Sequence, residues 1–265
     1  MSSNPFTLIT GSSLGIGKAF AHEFARRGHP VLMVALEDEN LVQARREIEQ
    51  NYSVAVDSLG VDLSCESGPQ KIWDWVQSKG YSVNILVNNA GFGRNGILES
   101  KDWSEYNAMI QLNNRAMVQL TYLFAPMLKK HPGNAYLLNM SSMEVSLIVP
   151  YKAVYSATKH FVFGFSLGMR EELKSFGVSV TTVCPGPVVT NEDGMRRIQS
   201  QGAKAKLMVI MPDQVARQSV EALFKRKQVL TPGRMAYFLS HLAHWIPWRY
   251  RMPLLEKMFR RYKEN

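Results

Sequence analysis

The chain has 265 residues, of which 46% are hydrophobic, 20% charged and 10% aromatic. That balance fits one large globular core and excludes a disordered or fibrous protein. The formal charge of +9 invites a polyanion or membrane partner, but the charge is local. Residues 225–265 hold ten of the 31 Lys and Arg side chains against two carboxylates, which leaves 21 basic and 20 acidic residues over 1–224. Cys65 and Cys184 stand far apart with no ligand spacing, so a disulfide framework and a zinc ribbon are excluded. The polar start Met1 to Asn4 carries no secretory pattern, and no apolar run approaches the ~20 residues that span a bilayer. A soluble, cytoplasmic protein is expected.

In chain order, short apolar or β-branched runs alternate with helix-length amphipathic stretches. Strands are predicted over 6–10, 31–36, 54–61, 84–88, 134–140 and 178–184, with a short one near Val229. Helices are predicted over 15–28, 39–50, 67–79, 102–131, 152–176 and 213–226. Gly28, Gly80, Gly133 and Gly177 mark their ends, and Pro212 sits where a first turn would begin. Uniformly apolar strands alternating with helices imply an α/β fold, a doubly wound parallel sheet of about seven strands with helices on both faces. One domain is expected over 1–231, followed by a basic tail over 232–265.

The first strand runs directly into Thr10-Gly11-Ser12-Ser13-Leu14-Gly15-Ile16-Gly17-Lys18. Gly11 permits a tight turn, Gly15 lets backbone approach a phosphate, and Gly17 lets helix pack on strand. The helix start then offers free N–H groups and a positive dipole end to an anion. A glycine triplet alone is weak, but its place between first strand and first helix points to a dinucleotide pyrophosphate.

With this Gly-x-x-x-Gly-x-Gly spacing the chain resembles the short-chain dehydrogenases/reductases, and further motifs agree in order and separation. Asn88-Asn89-Ala90-Gly91 follows the fourth strand, and Asn113 lies in the long middle helix. Ser142, Tyr155 and Lys159 come next, and Pro185-Gly186-Pro187-Val188-Val189-Thr190 follows the sixth strand. The resemblance covers about residues 5–231. It implies a Rossmann-type fold, an NAD(P)(H) cofactor, hydride exchange with a carbonyl or secondary alcohol, and a homodimer or homotetramer formed through the helices at 102–131 and 152–176. It also implies that Gly11, Ser13, Gly15, Ile16, Gly17, Asp62, Asn89, Ala90, Gly91, Tyr155, Lys159, Pro185, Gly186, Val188 and Thr190 hold the cofactor, with residues 190–212 as a lid over the substrate.

Hydride exchange at a carbonyl needs a proton donor beside the oxygen and stabilisation of its developing charge. Tyr155 and Lys159, four apart on a predicted helix, share a face. A phenol of pKa ~10 is a poor acid or base near neutrality, and a neighbouring ammonium is expected to lower it. Tyr155 is therefore expected to move the proton, with Lys159 tuning it. By resemblance Lys159 also bonds the nicotinamide ribose, Ser142 orients the carbonyl, and Asn113 binds a water that links Lys159 to solvent. Ser141 and Asn114 are the adjacent competitors. Asp62 resembles the family's adenine-bonding residue, and Asn88 is expected to steady the central sheet.

Two departures bear on specificity. After Ser142 many relatives carry a small residue and a glycine, whereas here stand Met143-Glu144-Val145. Glu144 reads as a solvated carboxylate on the loop rim or as a substrate contact. After the second strand the chain reads Glu37-Asp38-Glu39 with no arginine. Carboxylates there repel a 2′-phosphate, which leans the reading towards NAD(H) through Glu37, although Glu37 also fits the start of a solvated helical turn. Met-rich and aromatic positions, among them Phe92, Leu147, Tyr151 and Val188, fit a pocket for a bulky apolar substrate and fit ordinary core equally.

The tail divides at Pro247 and Pro253. Leu254, Leu255, Met258, Phe259 and Tyr262 are predicted to share one helical face, with Lys257, Arg260, Arg261 and Lys263 on the other. Peripheral contact with a membrane through 235–263, a subunit contact and a cover over the substrate all fit. No nucleic-acid recognition motif accompanies the charge, so nucleic acid is not expected as a partner. A dinucleotide-binding protein without turnover is the alternative to an enzyme.

Overall fold

A computed structural model of the chain describes residues 4–189 and 209–263. Thr190 and most of the expected lid over 190–212 lie outside the described residues. Seven strands form one parallel sheet in the order β3-β2-β1-β4-β5-β6-β7. They are β1 (Phe6–Thr10), β2 (Val31–Ala35), β3 (Val56–Gly60), β4 (Val83–Asn88), β5 (Ala135–Met140), β6 (Val178–Val183) and β7 (Val229–Leu230). Every residue of β1, β2, β4, β5 and β6 is buried, as a sheet covered on both faces requires.

Helices α1 (Gly15–Arg26) and α2 (Glu39–Asn51) cover one face together with α7 (Pro212–Phe224). Their core is built from Phe20, Phe24, Ile48, Val215 and Val220 against Ile9, Met33 and Val87. Helices α3 (Gly68–Ser78), α5 (Met117–Leu128) and α6 (Ala153–Lys174) cover the other face. There Ile72, Val76, Leu120, Phe124 and Leu173 pack on Leu8, Leu32 and Leu86. Side chains alternate between the two cores along each strand, the period-two geometry of a pleated sheet.

The strand order reverses between β1 and β4, and ligands of such sheets lie in the crevice beyond the carboxyl ends of the strands at that point. A buried polar relay fixes the spacing of the central strands. Asn88 Nδ2 donates to Asn139 Oδ1 at 2.9 Å and to Thr121 Oγ1 at 3.2 Å, and Asn139 Nδ2 donates to Ser166 Oγ at 2.9 Å. The expected helix over 102–131 is α4 (Trp103–Ile110) continued through a widened π turn over Gln111–Ala116 into α5. An insertion of this kind often marks a functional site, and Asn113 lies in it.

The tail forms α8 (Arg234–Trp245) and α9 (Trp248–Phe259). Two expectations are corrected here. Pro247 does break the tail, but Pro253 sits inside α9 on an exposed position and does not begin a new helix. The predicted apolar face is split as well. Leu255 is buried, whereas Leu254 and Met258 face outward, because buried Arg251 rather than the leucine row sets which side of α9 meets the body.

Candidate active site

The glycine loop occupies the switch point. Gly11 and Gly15 take φ of +65° and +56°, values that disfavour any side chain. A Cβ on Gly17 would fall inside contact distance of the Gly11 carbonyl oxygen. Leu14 caps α1 without a side-chain hydrogen bond, and the first turn contains no acidic residue. The N–H groups at the start of α1, around Gly15, Ile16 and Gly17, therefore open onto the crevice uncapped, a cradle suited to a pyrophosphate. Ser13 is half-buried beside them.

The Asn-Asn-Ala-Gly motif braces this loop. Asn89 Nδ2 donates to the carbonyls of Thr10 and Gly11 at 2.9 and 3.3 Å, and the amides of Asn89 and Ala90 both donate to Thr10 Oγ1 at 3.0 Å. Asn89 is thus spent on holding the loop. A Cβ on Gly91 would meet Asn113 Oδ1 at 2.8 Å and Lys159 Nζ at 3.4 Å, so this glycine marks where backbone passes closest to the predicted tetrad.

Lys159 is buried and donates to the Met140 carbonyl at 3.0 Å. Burial pushes its ammonium down to about 8, opposed by Cys184 and Glu144. Tyr155 lies one turn before it on α6, its ring packed over Gly93, where a Cβ would meet Cδ2 at 2.8 Å. Burial raises the Tyr155 phenol above its ordinary value and the charge of Glu144 raises it further, while a hydrogen bond with Ser142 pulls the other way. This differs from the expected depression by Lys159, whose Nζ stands 5.7 Å from the ring centroid. The ammonium donates to Met140, and burial is the largest influence on the phenol.

Ser142 closes β5 and accepts from the Glu144 amide at 3.2 Å. Its neighbour Ser141 instead donates to the Lys159 carbonyl at 2.8 Å, a structural tie to α6, so of the two serines Ser142 stands at the tyrosine. Asn113 exchanges hydrogen bonds with the Phe92 peptide, accepting at 3.1 Å and donating at 2.9 Å, and donates to Thr158 Oγ1 at 3.1 Å. Its side chain holds loop 91–93 under Tyr155. Asn114 donates to the Thr158 carbonyl at 2.9 Å.

Glu144 is the residue that sequence reasoning misjudged. It is buried, not solvated on the rim, and accepts from Ser156 Oγ at 2.6 Å and Lys152 Nζ at 3.0 Å. Lys152 in turn lies 5.3 Å over the Tyr155 ring. The available signal was the missing glycine after Ser142, which puts a carboxylate inside the short turn Met143–Val145 that Ser142 caps.

At the adenosine side, Asp38 caps α2 by accepting from the Leu41 amide at 3.0 Å. Glu37 is exposed at the end of β2 against Gly60, whose Cβ would meet Glu37 Cβ at 2.5 Å. The Asp62 carboxylate accepts from both the amide and hydroxyl of Ser64, at 2.8 and 2.7 Å, and these bonds hold it below the usual range. Both bonds go to Oδ1, so the local turn fixes the orientation of this carboxylate. On the opposite wall the Pro185 carbonyl accepts from Met143 at 2.9 Å, Gly186 is half-buried, and Val188 bridges Ile210.

Residues 5–201 match the family described as short chain dehydrogenase, and the chain belongs to that family. It is an oxidoreductase that moves hydride between a nicotinamide cofactor and a carbonyl or alcohol. Among proteins it is similar to, the human very-long-chain 3-oxoacyl-CoA reductase is 29% identical over 257 residues, covering 91% of this chain and 76% of that one. The solved structure of a short-chain dehydrogenase from Sphingobium yanoikuyae in complex with NADPH superposes with a TM-score of 0.76 at 26% identity, covering 92% of this chain and 97% of that chain. A 7beta-hydroxysteroid dehydrogenase shares the fold with a TM-score of 0.83 at 20% identity, covering 97% and 96%.

Proposed function

We propose that this chain reduces a bulky, largely apolar ketone, with Tyr155 giving the proton to the carbonyl oxygen while Ser142 holds that oxygen by a hydrogen bond. The observation that carries the reading is the Tyr155 phenol, bonded to Ser142 and held protonated by burial and by Glu144. The protonated phenol is the form that reduction uses, and the same group takes the proton back in the reverse direction. The glycine cradle, Asn89-Ala90-Gly91, Lys159 and the Pro185-Gly186-Pro187-Val188 wall fit the nicotinamide dinucleotide, which supplies the hydride when bound. Lys159 places a cation beside the ribose position, and Asn113 keeps the 91–93 loop seated against Tyr155 by its two bonds to Phe92.

Bulk and apolarity are supported by a cavity of about 270 Å³ at the start of α6, beside rather than at Tyr155 and Ser142, where Ile97, Leu98, Tyr106 and Val154 stand among the charged Arg94, Glu99 and Lys152. They agree with the very-long-chain substrate named for the human relative. For the cofactor we favour NAD(H). Exposed Glu37 stands just past β2, and Lys18 at the start of α1 is already paired with Glu47 at 2.8 Å, which speaks against a 2′-phosphate there. The Sphingobium relative, by contrast, was solved with NADPH.

One experiment tests substrate and cofactor together: kcat/KM for a ladder of ketones, each with NADH and NADPH. The expected result is a rise of roughly tenfold from a small methyl ketone to a long-alkyl or aryl ketone, with NADH preferred. A flat ladder overturns the apolar reading, and NADPH preference overturns the cofactor reading. We also propose pairing of subunits through α4–α5 and α6, on whose outer surfaces Trp103, Tyr122 and Phe161 are exposed; a monomeric mass by light scattering would refute it.

Glu144 supplies a pH prediction. In Glu144→Gln the negative charge that raises Tyr155 is lost and the Lys152 cation loses its partner, so both changes strengthen the phenol as an acid. Reduction uses the protonated phenol and the Lys159 ammonium, so its rate falls as pH rises through the first of their pKa values, and Glu144 raises both. The alkaline limb of kcat/KM against pH should therefore move to lower pH by on the order of one unit. An unmoved limb would remove Glu144 from the proton chemistry.

A further inference from the structure

The tail packs on the body by one side only. Buried Arg251 donates to the carbonyls of Ser146 and Ala243 and lies 3.4 Å over the Trp248 ring. Tyr151 donates to Glu256 Oε1 at 2.8 Å, and Ala236, Ser240, Ala243 and Leu255 complete the buried side. Helical periodicity turns a second side outward, and that side is not the polar one. On α8 it carries Met235, Phe238, Leu242 and Trp245, with Trp245 85% and Phe238 60% exposed. On α9 it carries Tyr250, Leu254 and Met258.

The charges on this outer side have one sign. Arg234, Arg249 and Lys257 are exposed among the apolar residues. The acidic residue of the described tail, Glu256, points inward to Tyr151 and is ion-paired with Arg260 at 2.8 Å. Aromatic side chains mixed with cations, without carboxylates, match the headgroup boundary of an anionic bilayer. A second copy of the chain fits worse, because a two-fold contact would set Arg249 and Lys257 against cations of the same patch. Each helix has 12 residues, about 18 Å of length, and no helix among the described residues is long and apolar enough to cross a membrane.

We propose that the outer face of α8 and α9 is a docking surface for an anionic lipid bilayer, on which both helices lie flat with their apolar side chains in the headgroup boundary. The inner side is already fastened to loop 143–152, so docking needs no unfolding of the tail. It also sets that loop, which carries Glu144 and leads into Tyr155, immediately behind the lipid-facing surface. The inference stands on the tail alone and does not depend on the substrate proposed above.

The test is flotation of the full chain with phosphatidylcholine–phosphatidylserine vesicles and with phosphatidylcholine vesicles, using two variants chosen on exposed positions. Phe238→Ser with Trp245→Ser removes apolar contact, and Arg249→Glu with Lys257→Glu reverses charge. Wild-type chain should float with the anionic vesicles roughly ten- to a hundredfold more than with neutral ones. Each variant should lose at least tenfold of that while keeping the parent melting temperature. Absence of flotation, or flotation equal in wild type and both variants, overturns the proposal. So does a wild-type mass by light scattering that falls in Phe238→Ser with Trp245→Ser without any vesicle binding, since the face would then join copies of the chain.

Discussion

Tyr155→Phe is expected to bind the dinucleotide as the parent chain does and to reduce ketone about 10²–10⁴-fold more slowly. The substitution removes one oxygen and leaves the ring packed over Gly93, where the contact is with ring carbons. Lys159 keeps its bond to Met140 and its place near Gly91, so the cofactor wall is unchanged. What disappears is the proton donor and the partner of the Ser142 hydroxyl. The measurement is kcat on the best ketone of the ladder beside a fluorescence titration of the reduced cofactor. A kcat within tenfold of the parent would take the proton step away from Tyr155. A lost titration would mean that the ring, not the hydroxyl, was holding the site together.

The second large effect is expected at Gly17. In an isolated helix alanine outranks glycine by about 1 kcal/mol, which by itself would stabilise α1. The packing opposes this and wins. The added Cβ would meet the Gly11 carbonyl and come within 2.6 Å of Asn89 Nδ2. Neither can yield cheaply. Gly11 already sits at φ +65°, and Asn89 is fixed by bonds to the Thr10 and Gly11 carbonyls. Overpacking of this kind costs about 1–3 kcal/mol, and the phosphate cradle is the part displaced. Gly17→Ala should melt several degrees lower and bind reduced cofactor at least about tenfold more weakly. Gly164→Ala is the control, read on the unpaired chain because α6 is also the proposed pairing face, since its Cβ would meet no atom of its own chain. It should melt at or above the parent temperature, and a fall equal to that of Gly17→Ala would undo the steric argument.

The parts of the molecule legible in the sequence are those governed by local rules. Strands β1, β2, β4, β5 and β6 read as apolar runs because both their faces are covered. The glycine loop reads because φ near +60° at Gly11 and Gly15 admits few other residues. Tyr155 and Lys159 read because four residues make one helical turn. What escaped depends on distant partners. Glu144 looked solvated because nothing in its own segment announces that Lys152 and Ser156, at the start of α6, fold over it. Gly93 drew no notice in the sequence, since its role is to make room for a ring 62 positions later. Asn113 was placed at the site, but its bonds to Phe92 were not legible, because they require the 91–93 loop to double back on the widened turn.

The tail shows the same division in sharper form. Its basic, aromatic character and its break at Pro247 were legible, but which side faces the body was not. Hydrophobic periodicity assigns the apolar row inward by default. Here Arg251 takes the inward place instead, satisfied by two carbonyls and the Trp248 ring, and Leu254 and Met258 are left outside. Packing against the body and the proposed contact with a membrane, which read as rivals in the sequence, would use opposite sides of the same two helices.

The central claim is that hydride reaches a ketone carbon at the site where Tyr155 and Ser142 meet the carbonyl oxygen. The most direct measurement is reduction of the preferred ketone with cofactor deuterated at the transferring carbon, followed by mass spectrometry and NMR of the alcohol. The account predicts one deuterium on the carbinol carbon in the parent chain and product lost by at least about a hundredfold in Tyr155→Phe. Tight cofactor binding with no deuterated alcohol from any ketone of the ladder would contradict it.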